Sequence, residues 1–141
     1  MAADPQCVFC KIVAGQIPSV KVAESDVAYA FMDIGPIATG HTLVIPKEHY
    51  VGVEDVPAEV AAGVFELAAR VAPALVQAVG AEGMNILQNH GRCAGQVVMH
   101  MHVHLIPRRA GDGLQRPWPA GQADPAELKR IAEKVASTLS K

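Results

Sequence analysis

The sequence predicts an α+β domain: about five antiparallel strands in one sheet, with one main helix and a C-terminal helix packed on one side. Three observations predict it. Short β-branched runs broken by turn residues fill residues 20–46, helical apolar stripes occupy 56–81 and 124–139, and two more strand-like runs lie between those stripes. A chain of 141 residues suits a single domain, residues 1–141, whose one core buries about two-thirds of the unfolded surface.

Residues 7–14, CVFCKIVA, form a brief apolar helix closed by Gly15, and Pro18 opens an extended segment. A meander follows. VKVAE, the turn residues Ser25 and Asp26, VAYAFMD, the break at Gly35 and Pro36, and HTLVIP give three strands, and connections this short demand antiparallel pairing. Asp55 or Val56 before Pro57 and Glu59 starts the main helix, with Val60, Val64, Leu67, Ala68, Val71 and Leu75 as its buried stripe. Pro73 should kink or split it, and Gly80 and Gly83 end it. MNILQN and VVMHMHVHLIP read as the last two strands, joined by HGRCAG. A turn-rich loop, GDGLQRPWPAGQ, holds the only tryptophan, Trp118. Beyond it, Asp124, Pro125 and Glu127 start a helix whose buried stripe is Leu128, Ile131, Ala132, Val135 and Leu139.

Composition narrows the function. A net charge of -2 and 18% charged residues leave no basic face for nucleic acid. No apolar stretch spans a membrane, because Glu59, Glu66, Arg70, Pro73 and Gln77 interrupt the Ala/Val-rich one. MAADPQ lacks the basic-then-apolar pattern of a secretory signal, so a cytoplasmic location is expected, with Cys7, Cys10 and Cys93 as thiols or metal ligands.

The chemistry concentrates in residues 96–107, QVVMHMHVHLIP. A strand's side-chain period of two puts His100, His102 and His104 on one face and Met101, Val103 and Leu105 on the other. Imidazoles are costly to bury together, since each brings a donor and an acceptor. The pattern therefore points to a metal site or to one that handles an anion or a proton. Cys7 and Cys10 form a C-x₂-C, a half-site for zinc that needs two more ligands. Cys93 and His90 read as plain loop residues, and Arg108 and Arg109 as a solvated pair or a polyphosphate contact.

AGQVVMHMHVHLIPR resembles the signature of the histidine-triad family, His-φ-His-φ-His-φ-φ with φ apolar. CVFCKIVAGQIPSVKV, AFMDIGPIATGHTLVIPKEHY and the Trp-Pro loop also resemble family segments, in order and over roughly residues 7–119. The branch most similar is Hint, the purine nucleoside phosphoramidases, in its bacterial zinc-containing form. This resemblance implies a histidine-triad fold, a homodimer with a continuous sheet, and hydrolysis at the α-phosphorus of a purine nucleoside monophosphate derivative through a nucleotidyl-histidine. It implies His102 as nucleophile, with His104, His100 and His41 around the phosphate. Asp33 is implied at the ribose, Ile34 at the base, and Asn89 with the Gly95, Gln96 and Val97 turn near the phosphate. A structural zinc on Cys7, Cys10, His49 and His100 is implied too, a closed Cys₂His₂ set. Val97 departs from the family, since many relatives carry a hydroxyl there that can reach the leaving group. Three alternatives stand beside this reading: a dinucleoside polyphosphate hydrolase of Fhit type, a non-catalytic nucleotide-binding module, and a metallohydrolase with zinc on the three histidines.

Overall fold

A computed structural model describes residues 3–114 and 119–140, so Trp118 of the Trp-Pro loop lies outside the described residues. Its elements run α1 (Val8–Val13), β1 (Lys21–Glu24), β2 (Ala28–Met32), β3 (Thr42–Pro46), α2 (Ala58–Val79), β4 (Gly83–Gln88), β5 (Val103–Arg108) and α3 (Pro125–Leu139). The strands form one antiparallel sheet in the order β1-β2-β3-β5-β4. The first three make the expected meander, and β5 then lies between β3 and β4.

Alternation along the strands divides the apolar residues into two layers. Ala28, Ala30, Val44, Val103 and Leu105 pack beneath Val64, Leu67, Ala68, Val71 and Leu75 of α2. On the opposite face Phe31, Leu43 and Ile45 pack with Cys7, Phe9 and Cys10 around α1. Helices thus flank both faces, where the sequence had suggested one. The six-residue α1 is too short to reveal which side it covers.

α2 remains one helix through Pro73 and ends on Gly80 in the left-handed conformation, while Gly83 already belongs to β4. Pro57 occupies its N-cap without a side-chain cap. Asp55 instead accepts from the backbone N–H groups of Val51 and Gly52 and closes the preceding turn. Asp124 does cap α3, accepting from Ala126 N–H. The expected burial of α3 is not found: Leu128, Ile131, Val135 and Leu139 are all exposed. A helical stripe announces that a face must be covered, but it does not say by what, and no described element of this chain covers it.

One backbone position controls the entry to β3. Gly40 has φ +91°, and a Cβ there would lie 2.9 Å from Val79 Cγ1 and 3.2 Å from Pro107 Cγ. Gly40→Ala is expected to cost about 2 kcal/mol, from the left-handed backbone and the crowding together. Thermal unfolding should register it as a fall in Tm of about 5–10 °C.

Candidate active site

The triad segment departs from a plain strand. β5 begins only at Val103, so His104 is paired, opposite Leu43 and Leu87, whereas His100 and His102 precede the ladder. Their backbone is tied elsewhere: Met101 N–H donates to Tyr50 O at 2.7 Å. Side-chain alternation nonetheless persists, with Met101, Val103 and Leu105 buried away from the imidazoles. The rings of His102 and His104 stand 4.8 Å apart, and Phe9 of α1 meets both His100 and His102 edge-on.

Hydrogen bonds assign the tautomers of the neutral rings. His102 donates from Nδ1 to the carbonyl of its neighbour His100 at 2.7 Å, which leaves Nε2 with a free lone pair. Ile37 N–H donates to His41 Nδ1 at 3.1 Å, so the hydrogen of His41 sits on Nε2 and is given to His104 Nδ1 at 2.9 Å. His104 consequently carries its own hydrogen on Nε2. A lone pair and an N–H donor stand side by side. Burial holds His102 and His41 below the ordinary histidine range, and with its imidazole neighbours it pushes His104 down to about 4. All three rings are therefore neutral near pH 7.

These rings open into a cavity of about 530 Å³. Asp33, Ile34, His41, Asn89, Gly95, Val97, His102 and His104 all line it. Asp33 is fixed by accepting from Gly35 N–H at 2.8 Å. Ile34 and Val97 are exposed at the rim, 95% and 81%. The far end is apolar, built from Phe9, Ile12, Phe31 and Leu43, with Ser19 hydroxyl-bonded to Tyr29 at 2.8 Å. Sequence reasoning missed this wall, although the three-residue spacing of Phe9 and Ile12 marks one face of a helix. No lysine or arginine lines the cavity among the described residues.

Two expectations need correction. Gln96 does not line the cavity. It is buried, donating from Nε2 to Val51 O and Val98 O and accepting from Gly91 N–H. The N–H groups of Ala94, Gly95 and Gln96 are likewise taken by carbonyls of Gly91 and Arg92, because the loop tightens into a 3₁₀ turn over Arg92–Ala94. That turn shapes the rim but turns those three donors inward. His100 also faces away from the cavity. Its Nε2 donates to Pro46 O at 2.8 Å, and its Nδ1 faces Cys7, Cys10 and His49.

The second cluster is buried. His100 Nδ1 lies 3.3 Å from Cys7 Sγ, 3.5 Å from Cys10 Sγ and 3.2 Å from His49 Nδ1, and Cys10 Sγ lies 3.5 Å from His49 Nδ1. Tetrahedral zinc, with bonds of about 2.3 Å to sulfur and about 2.0 Å to nitrogen, requires separations of about 3.3 Å between nitrogens, about 3.5 Å between nitrogen and sulfur and about 3.8 Å between sulfurs. The nitrogen–nitrogen and nitrogen–sulfur separations here match that spacing, and the four donors could hold a metal ion. Because His100 belongs to this cluster and His102 is bonded to its carbonyl, the triad does not converge on one metal. Asp33, His41 and His104 also lie close together, but Ile37 N–H occupies His41 Nδ1, so its Nε2 is a donor rather than a ligand.

Arg108 and Arg109 are committed elsewhere, Arg108 to Asp112, Asn85 and Leu114 O, Arg109 to Val79 O. Arg108 is half-buried in these bonds and Arg109 remains exposed, as a solvated residue would be, and neither lines the cavity. His90 pairs with Glu54 at 3.0 Å, and Cys93 is an exposed thiol.

Known proteins resemble this chain in sequence and fold. A model of the HIT domain matches residues 14–111. The adenosine 5'-monophosphoramidase of Schizosaccharomyces pombe is 42% identical over 134 residues, covering 94% of this chain and 98% of its own. A crystal structure from Streptococcus mutans superposes with a TM-score of 0.92 at 41% identity, over 98% of this chain and 88% of that one. A zinc-bound histidine triad family protein from Mycobacterium smegmatis gives a TM-score of 0.75 at 38% identity, over 96% of each chain. The chain belongs to the histidine-triad (HIT) family.

Proposed function

We propose that the protein hydrolyses the bond between the α-phosphorus of a purine nucleoside monophosphate and an amine or sulfate leaving group, through a nucleotidyl-His102 intermediate. One observation carries this reading: the carbonyl of His100 holds the hydrogen of His102 on Nδ1, so Nε2 faces the cavity as a nucleophile. In the first displacement a bond forms from Nε2 to phosphorus while the bond to the leaving group breaks, and a departing amine takes up one proton from solvent at the open rim. In the second, water attacks phosphorus and returns one proton to solvent, the P–N bond breaks with its electron pair going back to Nε2, and the nucleoside monophosphate leaves.

Each lining residue has a part in this scheme. His104 Nε2–H and the Asn89 amide stabilise charge on the phosphoryl oxygens, a role worth about 3 kcal/mol per well-placed donor. The Asp33 carboxylate accepts from ribose hydroxyls, and Ile34 lies by the base. The rim at Gly95 and Val97 borders the phosphate. His100 acts through its carbonyl and not through its ring. A single nucleoside monophosphate unit fits this cavity better than a dinucleoside polyphosphate, because its described lining supplies no cation for a polyphosphate tail. Release of AMP plus amine, without ADP or ATP from diadenosine polyphosphates, is the product test.

Zinc on Cys7, Cys10, His49 and His100 is the proposed metal, supported by the donor spacing and by the zinc-bound relative. With four protein ligands it leaves no place for a reactive water and serves structure. We further propose one domain, a cytoplasmic location and a homodimer joined into a continuous sheet. No described helix is long and apolar enough to cross a membrane, and β1 and β4 are the open edges where such a sheet would extend.

Two further results are expected. Val97→Ser should raise kcat for an AMP phosphoramidate severalfold by restoring a hydroxyl near the leaving group, and an unchanged or lower rate would refute that role. The active rings are neutral, and burial depresses their pKa values. Activity is lost only as pH falls through those lowered values, so the acid limb of kcat/KM should lie below 6.5.

A further inference from the structure

We infer that Phe9 is a positioning residue that makes nucleoside binding and the aim of His102 depend on the metal cluster. The inference rests on the cavity being a nucleotide pocket. α1 has only six residues, and it serves two sites at once. Its Cys10, with Cys7 at the N-cap, enters the buried Cys₂His₂ set, while Val8, Phe9 and Ile12 line the cavity. A rigid turn of helix cannot move one set without the other.

Phe9 stands where the two meet. Its ring is edge-on to His100 at 5.8 Å and to His102 at 5.3 Å between centroids, with interplanar angles of 72° and 88°, and it contacts Phe31 at 5.5 Å. His100 is a cluster member and His102 the nucleophile. Phe9 therefore packs edge-on against the His102 ring and restrains it, beside the hydrogen bond from Nδ1 to the His100 carbonyl. That carbonyl belongs to His100, a cluster member, and Phe9 sits between Cys7 and Cys10, so both restraints on His102 are tied to the cluster.

The donors hold one another poorly without an ion. His100 Nδ1 offers a lone pair, and Cys7, Cys10 and His49 all crowd it. A single lone pair satisfies one hydrogen, whereas a metal satisfies all four donors. Losing the ion releases Cys7 and Cys10, and with them the wall that Phe9 and Ile12 supply. The phosphate end rests on His41, His104 and Asn89, which belong to other parts of the chain than α1.

Calorimetric titration with AMP and with ribose 5-phosphate separates the two ends. The forms compared are the zinc-loaded protein, the chelator-stripped protein, and the zinc-loaded variants Phe9→Ala and Phe9→Leu, each checked for folding by circular dichroism. Stripping should weaken AMP about 10-fold and ribose 5-phosphate less than about 2-fold, the difference being the apolar wall. Phe9→Ala should keep one zinc per chain, weaken AMP by a similar factor and lower kcat, and Phe9→Leu should recover part of each. Folded, stripped protein that binds AMP as well as the loaded form, or loses both ligands equally, overturns the inference. So does Phe9→Ala with wild-type AMP affinity. Failure of AMP to bind even the zinc-loaded wild type would defeat the nucleotide reading, and this inference with it.

Discussion

His102→Gly is expected to lower hydrolysis of an AMP phosphoramidate by about 10⁴-fold, with less than about a 10-fold change in AMP affinity. Removal of a covalent nucleophile leaves the binding groups and the charge-stabilising donors in place, and such sites keep only a small residual rate. The contrast between kcat and affinity is the informative part. In the proposed scheme His102 supplies the reacting atom, whereas Asp33, Asn89 and the apolar wall, which line the same cavity, supply affinity. The His100 carbonyl makes a sharper comparison available. His102→Gln keeps a polar side chain in the space without a nucleophilic ring nitrogen, and it should be as inactive as the glycine variant.

Cys10→Ser is expected to reduce stability by about 4 kcal/mol, seen as a fall in Tm of about 10–15 °C, with loss of tightly bound zinc. Cys10 is buried and stands 3.5 Å from both His49 Nδ1 and His100 Nδ1, so it closes two edges of the tetrahedron. Metal bound only by the folded state stabilises it by mass action, and a missing ligand removes most of that contribution. Chelation of the wild type should reproduce the fall. Adding zinc should then raise the Tm of the wild type but not of Cys10→Ser.

Much of the site was legible because its period matches its backbone. The alternation of His100, His102 and His104 with Met101, Val103 and Leu105 assigned the two faces correctly, even though the ladder starts only at Val103. What the alternation could not show was the direction of each ring. His100 shares a face with His102 and yet serves another site, because Cys7, Cys10 and His49 arrive from distant parts of the chain. The Gly95–Val97 turn was expected near the phosphate; Gly95 and Val97 line the cavity, but Gln96 does not, and the amides of Gly95 and Gln96 point inward. Whether an N–H points inward depends on the local turn, and Gln96 with the carbonyls of Gly91 and Arg92 decides that here.

The fold shows the same division. The meander and the α2 stripe follow from local patterns, and each strand pairs with the neighbour that its short connections demand. Insertion of β5 between β3 and β4 is a long-range choice that no local signal encodes. α3 is the clearest case. Its N-cap and apolar stripe predicted a helix, which formed, yet the surface that would cover Leu128, Ile131, Val135 and Leu139 is not on any described element of the same chain.

The most direct test of the central claim is mass spectrometry of protein quenched in acid during turnover of an AMP phosphoramidate. The parent should carry an adduct of nucleotidyl mass that peptide mapping places on His102, and His102→Gly should carry none. An unmodified parent under conditions of rapid turnover, or an adduct on another residue, would contradict the account.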